Sequence, residues 1–233
     1  MHLSLSAYRF FLAQRLCDLL NWTCFMLPQL EDRYVHGLIN KSVQGFLISN
    51  HGNDAWAEIA RMANLPPQGF ESMLTYPDSM TDKVLDAACT YVGCTRASLM
   101  EDIGVFLVTH PDLEAVRRLM RFGGPTFEDF VLSLDEVHDR ACLAVPELTL
   151  PRISLSDTGV GQYVITTQWQ VVGAISLVSG VLRAMADDYG ALVVLDAGPR
   201  LHSDGGIMET LSVFIAEPEF AAGRSFTLAE RLA

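Results

Sequence analysis

The sequence has little positive charge and no long apolar run. It carries 16 Lys and Arg residues against 28 Asp and Glu residues, which gives a formal net charge of −12. Nonspecific attraction to nucleic-acid phosphates or to an anionic membrane surface is therefore not expected. No stretch reaches the roughly 18 consecutive apolar residues that a membrane-spanning helix needs. These features favour a protein or a small molecule as the partner.

Cysteine is scarce, and its spacing matches no common metal or disulfide pattern. The five cysteines are odd in number and form neither a CxxC pair nor a paired zinc motif. We therefore expect reduced thiols and a cytoplasmic location. The five are Cys17, Cys24, Cys89, Cys94 and Cys142.

Motifs with a known catalytic mechanism are also missing. The sequence has no Gly-x-Ser-x-Gly elbow, no phosphate-binding loop and no His-Glu-x-x-His pair. Gly159 and Gly161 lack the third glycine of a dinucleotide-binding loop, and they do not open a helix. Although its 6 histidines and 28 carboxylates could still meet in a fold, the sequence predicts that the protein is not an enzyme.

The chain has enough apolar residues to bury a core, and their spacing changes partway along. Hydrophobic residues make up 50% of the 233 residues and charged residues 19%, which is typical of a globular domain. Up to about residue 145 the apolar residues follow the helical period, and residues 112–121 read as a short helix whose three arginines, at 117, 118 and 121, face solvent. After Pro151 the period becomes two. The predicted later elements are strands 152–157, 162–171, 191–197 and 209–216, a helix over 172–189 and a loop over 198–208.

This order, with helices first and then an antiparallel sheet crossed by one long helix, indicates the α+β class. Within it, residues 125–151 carry the most informative pattern. Thr126 can cap a helix start, and Pro146 should end that helix near Val145. Apolar residues and His138 recur at three- and four-residue steps along one helical face, so His138 is expected to point into the core.

Two interpretations of His138 stay open from the pattern alone. It is either a core histidine whose ring nitrogens are hydrogen-bonded, or a ligand of a metal or of heme iron. Glycine 104 is ambiguous in the same way, because a small residue there suits either a close helix–helix contact or a close approach to a flat ligand.

The local sequence around His138 resembles that of one known family. Leu134-Asp135-Glu136-Val137-His138, with Leu150-Pro151-Arg152 downstream, is similar to the proximal-histidine segment of the heme-nitric oxide/oxygen binding (H-NOX) family. Residues 35–41, Tyr76-Pro77-Asp78 and Gly104-Val105-Phe106-Leu107 resemble the family in the same order. The resemblance covers residues 35–216 and implies a helical subdomain, a proximal-histidine helix and a four-stranded antiparallel sheet with one long helix. Residues 1–34 are then an N-terminal extension or the result of too early a start codon, and residues 217–233 are a tail.

The resemblance implies a cofactor, its contacts and a role. His138 matches the ligand of a heme b iron, Pro151 the proline that distorts the porphyrin, and Ile39 an apolar heme contact. Ser176 stands where oxygen-binding members carry a tyrosine, which favours nitric oxide as the ligand. The chain would then be a stand-alone nitric oxide sensor that regulates a separate signalling enzyme, such as a histidine kinase or a cyclic-di-GMP enzyme.

The chain departs from the family at the heme propionates. The family holds these carboxylates with Tyr-x-Ser-x-Arg, and the corresponding residues here are Thr167, Trp169 and Val171. Valine cannot make the two-pronged, charge-assisted contact of an arginine. The alternative function is therefore a heme-free module of the same fold that binds a protein or another ligand.

Overall fold

The computed structural model describes residues 34–145, 147–148, 150–203 and 206–226. The predictions for residues 1–33, for Pro146 as the end of a helix and for residues 227–233 lie outside the described residues. None of the helices within the described ranges combines the length and the apolar content that a bilayer crossing requires. The helices are α1 (Gly37–Met62), α2 (Asp78–Val92), α3 (Arg96–Thr109), α4 (Glu114–Arg121), α5 (Phe127–Leu132), α6 (Val137–Ala144) and α7 (Ala174–Tyr189).

The first part of the described chain is helical, with one small sheet at its start. Strand β1 (Tyr34–His36) pairs antiparallel with β2 (Thr75–Pro77). Helix α1 is interrupted at Gly52, whose φ of 88° and ψ of 169° are not helical. Gly52 therefore kinks the helix, because glycine adopts this backbone conformation without a steric penalty.

The second part contains the antiparallel sheet predicted from the period-two pattern. Its strands are β3 (Arg152–Gly159), β4 (Gln162–Trp169), β5 (Leu192–Ser203) and β6 (Gly206–Glu217), in the order β3-β4-β6-β5. The α+β prediction is confirmed. The predicted loop over 198–208 is wrong, because the β5–β6 ladder resumes at Arg200 after an irregularity beyond Ala197. The glycine-rich composition of that segment therefore marks a bulge inside a long hairpin.

The predicted helix over 126–145 is also wrong, since it is broken in the middle. Thr126 caps its start as expected, with its hydroxyl oxygen accepting from the Asp129 N–H at 3.1 Å. A short 3₁₀ turn, Leu134–Glu136, then separates α5 from α6. The Ser133 carbonyl accepts from the Glu136 N–H at 3.2 Å and from the Arg140 guanidinium at 2.8 Å, whereas the Val137 N–H donates to Leu134 instead of Ser133. His138 consequently lies in the first turn of a new helix.

Helices α3 and α7 cross very closely and join the two parts. A Cβ added at Gly104 would lie 2.2 Å from the Leu177 carbonyl oxygen, and one at Gly180 would lie 2.0 Å from the Glu101 carbonyl oxygen. Both glycines are therefore required by backbone-to-backbone packing. Of the two interpretations of Gly104, the structure supports the helix–helix contact.

The sequence analysis predicted that the three arginines of α4 all face solvent, and this prediction is wrong for Arg117. Arg117 is only 7% exposed and forms an ion pair with Asp188, which is 1% exposed, at 2.8 Å between Nη2 and Oδ1. The chain after β6 packs beside this pair, with the Arg224 N–H donating to the Asp188 carbonyl at 2.9 Å. The prediction was wrong because the partner of Arg117 lies 71 residues away.

Candidate functional site

His138 lies in the first turn of α6 and is half-buried. Its Nε2 is 3.7 Å from the Cys142 sulfur, one turn further along the helix, and that thiol also donates to the Leu148 carbonyl at 3.6 Å. Its Nδ1 is buried without a hydrogen-bond partner among the described residues. Metal-binding histidines usually have their second ring nitrogen fixed by a carboxylate or a carbonyl. His138 lacks that support in the described part of the chain.

An open cavity of about 450 Å³ adjoins His138, between the start of α6 and strands β3, β4 and β6. Seven of its nine lining residues are polar or charged, including Asp135, Asp139 and Arg152. A porphyrin ring requires mainly apolar walls, so this cavity is suited to a small polar ligand. Within the described ranges, no group of three or more His, Cys, Asp and Glu side chains is arranged to hold a metal ion.

The other two predicted contact residues occupy different surroundings. Ile39 lies in the first turn of α1 and packs against the core of the helical part. Pro151 is half-buried in the segment that leads into β3. Trp169 and Val171 belong to the same core as Ile39, whereas His138 belongs to neither of the two core clusters found among the described residues. The role of each as a heme contact stays a prediction.

The three positions that the resemblance assigns to the propionate clamp are all buried. Thr167 is 0% exposed, Trp169 6% and Val171 1%. The Thr167 hydroxyl donates to the Glu209 carbonyl at 3.5 Å, and the indole of Trp169 and the side chain of Val171 fill the apolar core. All three side chains therefore contribute to the packing of the protein interior.

A buried acid that the sequence analysis missed lies directly beside these positions. Glu209 on β6 is 3% exposed and pairs with Thr167 across the ladder. Its Oε2 accepts from the N–H groups of Gly173 and Ile175, at 3.1 and 3.3 Å, and its Oε1 accepts from Arg200 Nε at 2.9 Å. A signal for its burial exists in the sequence, because the period of two places Glu209 on the same strand face as the apolar residues 211, 213 and 215.

The three positions assigned to the clamp do not face the cavity beside His138, because β4 lines that cavity with Thr166 and Gln168 and neighbouring strand residues point to opposite faces. A propionate at this place would meet a tryptophan, a valine and the Glu209 carboxylate, and like charges at short range repel. The nearest cation, Arg200, is already paired with Glu209. His138 has the chemistry of an axial iron ligand, whereas the three positions that the resemblance assigns to the clamp carry side chains that pack into the interior.

Comparisons with known proteins agree with this fold. A family model described as Haem-NO-binding matches residues 36–195. Soluble guanylate cyclase 89Db of Drosophila melanogaster is 21% identical over 188 residues, which cover 73% of this chain and 28% of the relative. Soluble guanylate cyclase gcy-32 of Caenorhabditis elegans is 26% identical over 104 residues, which cover 44% of this chain and 15% of the relative. The matched regions are thus less than a third of these relatives' lengths.

Solved H-NOX structures share the architecture at low sequence identity. An isoleucine-to-phenylalanine mutant of T. tengcongensis H-NOX superposes with a TM-score of 0.66 at 14% identity, covering 79% of this chain and 99% of that one. An oxygen-binding H-NOX domain related to soluble guanylate cyclases gives a TM-score of 0.61 at 15% identity, covering 82% and 100%. Because the family model spans most of the chain and the fold agrees, this chain belongs to the heme-NO-binding, or H-NOX, family.

Proposed function

We propose that this chain is a non-catalytic signalling module of the H-NOX fold that regulates a separate signalling enzyme and does so without a stably held heme. The observation that carries the proposal is the burial of Trp169 and Val171 at two of the three clamp positions. Removing these side chains from the core to admit a porphyrin edge would cost apolar burial worth roughly 2–3 kcal/mol per side chain.

The electrostatics of the site support the same proposal. Glu209, the ladder partner of Thr167, adds a carboxylate beside the positions that the resemblance assigns to the clamp, and its hydrogen bonds to the start of α7 are already made. The polar cavity beside His138 offers a place for a different ligand. Regulation would require that this ligand, or a partner protein, binds one arrangement of the module better than another.

A second function is favoured by His138 itself. Its imidazole stands where the family carries the iron ligand, and Nδ1 has no competing partner among the described residues. On this alternative, heme b binds through His138, and nitric oxide is the ligand because Ser176 replaces a tyrosine. The regulated enzyme would again be a histidine kinase or a cyclic-di-GMP enzyme on a separate chain.

One absorption experiment separates the two functions. The protein is expressed with heme precursor, and spectra are recorded before and after dithionite and then nitric oxide, for the wild type and for His138→Ala. We expect no Soret band in the purified protein, and only a weak band after hemin addition that His138→Ala leaves unchanged.

The opposite result would establish the sensor. A Soret band in the purified wild type that shifts with nitric oxide and is lost in His138→Ala would contradict the proposal. His110→Ala is the matched control, because His110 is a half-buried histidine on the helical part whose ring contacts Ser49.

A further inference from the structure

The cavity beside His138 has two walls of opposite charge. One wall is the start of α6 with the 3₁₀ turn before it, and it presents the carboxylates of Asp139 and Asp135. The other wall is formed by the strands, and β3 presents the guanidinium of Arg152 there. A ligand that complements both walls must itself carry a positive and a negative group.

The three charges on these walls are not compensated by the protein. Asp135, Asp139 and Arg152 are exposed, and within the described ranges none of them has an ion-pair partner. A guanidinium holds a carboxylate through a two-pronged, charge-assisted contact, which is stronger than a neutral hydrogen bond. All three charges therefore remain available to a ligand.

The imidazole of His138 is a second, independent indication of a ligand. His138 lines the cavity, and its Nδ1 is buried without a hydrogen-bond partner in the described part of the chain. A buried polar atom without a partner destabilises a protein, and a ligand that contacts the ring can supply that partner. A neutral imidazole has one donor and one acceptor nitrogen, so it suits a ligand with groups of both kinds.

The size of the cavity limits the class of ligand. Its volume of about 450 Å³ lies in the lower part of the range of about 300–1,000 Å³ that small-molecule sites span. We propose that the cavity binds a free α-amino acid, with its carboxylate at Arg152 and its ammonium at Asp135 and Asp139. Its side chain then lies toward Met208, an apolar residue of the lining. The inference rests on the proposed function, since it names the ligand that the module binds instead of a heme.

The test compares three ligands that differ in charge. The common L-amino acids are screened for the one that raises the melting temperature most, because a ligand of the folded state stabilises it. That amino acid is titrated by calorimetry beside the amine that lacks its carboxylate and the acid that lacks its amino group. We expect the amino acid to bind at least about tenfold more tightly than either analogue. A panel in which no amino acid raises the melting temperature would overturn the inference.

Two substitutions at exposed side chains separate the two walls. Arg152→Met should weaken binding of the amino acid and the acid about tenfold, and the amine should bind as before or more tightly. Asp139→Asn should weaken binding of the amino acid and the amine about threefold or more, and the acid should bind as before or more tightly. Arg61→Met and Asp54→Asn are the matched controls, because both side chains are exposed on α1.

Equal weakening of all three ligands by Arg152→Met would overturn the inference, because damage to the whole cavity affects them alike. Nuclear magnetic resonance gives a second readout, in which the ring signals of His138 shift during the titration and those of His110 do not. Unchanged His138 signals would also contradict the inference. The two proposals fail separately: a His138-dependent Soret band in the purified wild type contradicts the proposed function, whereas the charge-dependent losses at Arg152 and Asp139 decide the ligand.

Discussion

Two polar side chains with buried atoms, His138 and Glu209, differ in how well the sequence identified them. His138 was identifiable from its neighbours in the sequence, since Leu134 to His138 resemble a family segment. Glu209 was not identified, although the strand period placed it on the buried face. Its partners, Arg200 and the start of α7, lie 9 and more than 30 residues away. Local spacing predicts burial well, but it does not predict which distant groups meet in the interior.

Tyr163 provides a test of one such contact. Its hydroxyl donates to the Glu128 carboxylate, and this hydrogen bond, followed by burial, raises the pKa of Tyr163 from 10 to about 12. The raised pKa means that the folded state keeps the proton longer than the unfolded state. The stabilisation is therefore complete below about pH 10 and is lost between about pH 10 and 12.

We expect Tyr163→Phe to abolish this pH dependence. Urea unfolding at about pH 8 and about pH 11 should show the wild type losing roughly 0.5–1 kcal/mol more than the variant, after allowance for the solvent exposure of Glu128. Tyr91→Phe, at a side chain 46% exposed, is the control. Equal losses in wild type and Tyr163→Phe would show that the hydrogen bond to Glu128 is not formed in solution.

At the scale of elements, most strands and helices followed from periodicity, and the errors have physical causes. The helix over 126–145 has an unbroken apolar pattern, yet the Ser133 carbonyl accepts from the Glu136 N–H and the Arg140 guanidinium, and the helix is interrupted by a 3₁₀ turn. The hairpin of β5 and β6 contains glycine, proline and aspartate, which are typical of loops, yet its ladder continues through Arg200. In both cases the observed secondary structure includes a contact that the local sequence preferences do not predict.

The crossing of α3 and α7 yields an element-scale prediction. Gly104→Ala should lower the free energy of unfolding by about 1–3 kcal/mol, because the new Cβ would overlap the Leu177 carbonyl oxygen. Gly45→Ala is the matched control inside α1, where an added Cβ meets nothing within 4 Å. This control should raise stability by up to about 1 kcal/mol through helix propensity. Chemical denaturation checks both, and an unchanged stability of Gly104→Ala would mean that the helices lie further apart.

At the scale of the molecule, the segment after β6 is hydrogen-bonded to the end of α7. The Ala221 N–H donates to the Gly190 carbonyl, and the Arg224 N–H donates to the carbonyl of Asp188. Asp188 in turn pairs with Arg117 from α4. Burial by itself lowers the pKa of Arg117, but the hydrogen bond and charge of Asp188 outweigh it, so the pKa is raised. One ion pair thus connects α4, α7 and the following segment.

Removing one member of this pair should be costly. Arg117→Met removes the closest cation of Asp188 and leaves Arg121, at 3.3 Å, as its next ion-pair partner. We expect a loss of about 1.5–3 kcal/mol in the free energy of unfolding, which is typical of a hydrogen bond to a charged group. Arg118→Met is the control, because that side chain is 41% exposed and its loss should cost less than about 1 kcal/mol. Similar effects of the two substitutions in thermal or urea unfolding would contradict the assigned role of Asp188.

The most direct test of the account is the heme content per chain of protein purified from cells supplied with heme precursor. Packed side chains fill the three positions that the resemblance assigns to the propionate clamp. We therefore expect heme at less than about one tenth of the chain concentration, since loss of a charge-assisted clamp weakens affinity strongly. Heme at one per chain, lost in His138→Ala, would contradict the account and establish the chain as a His138-ligated sensor.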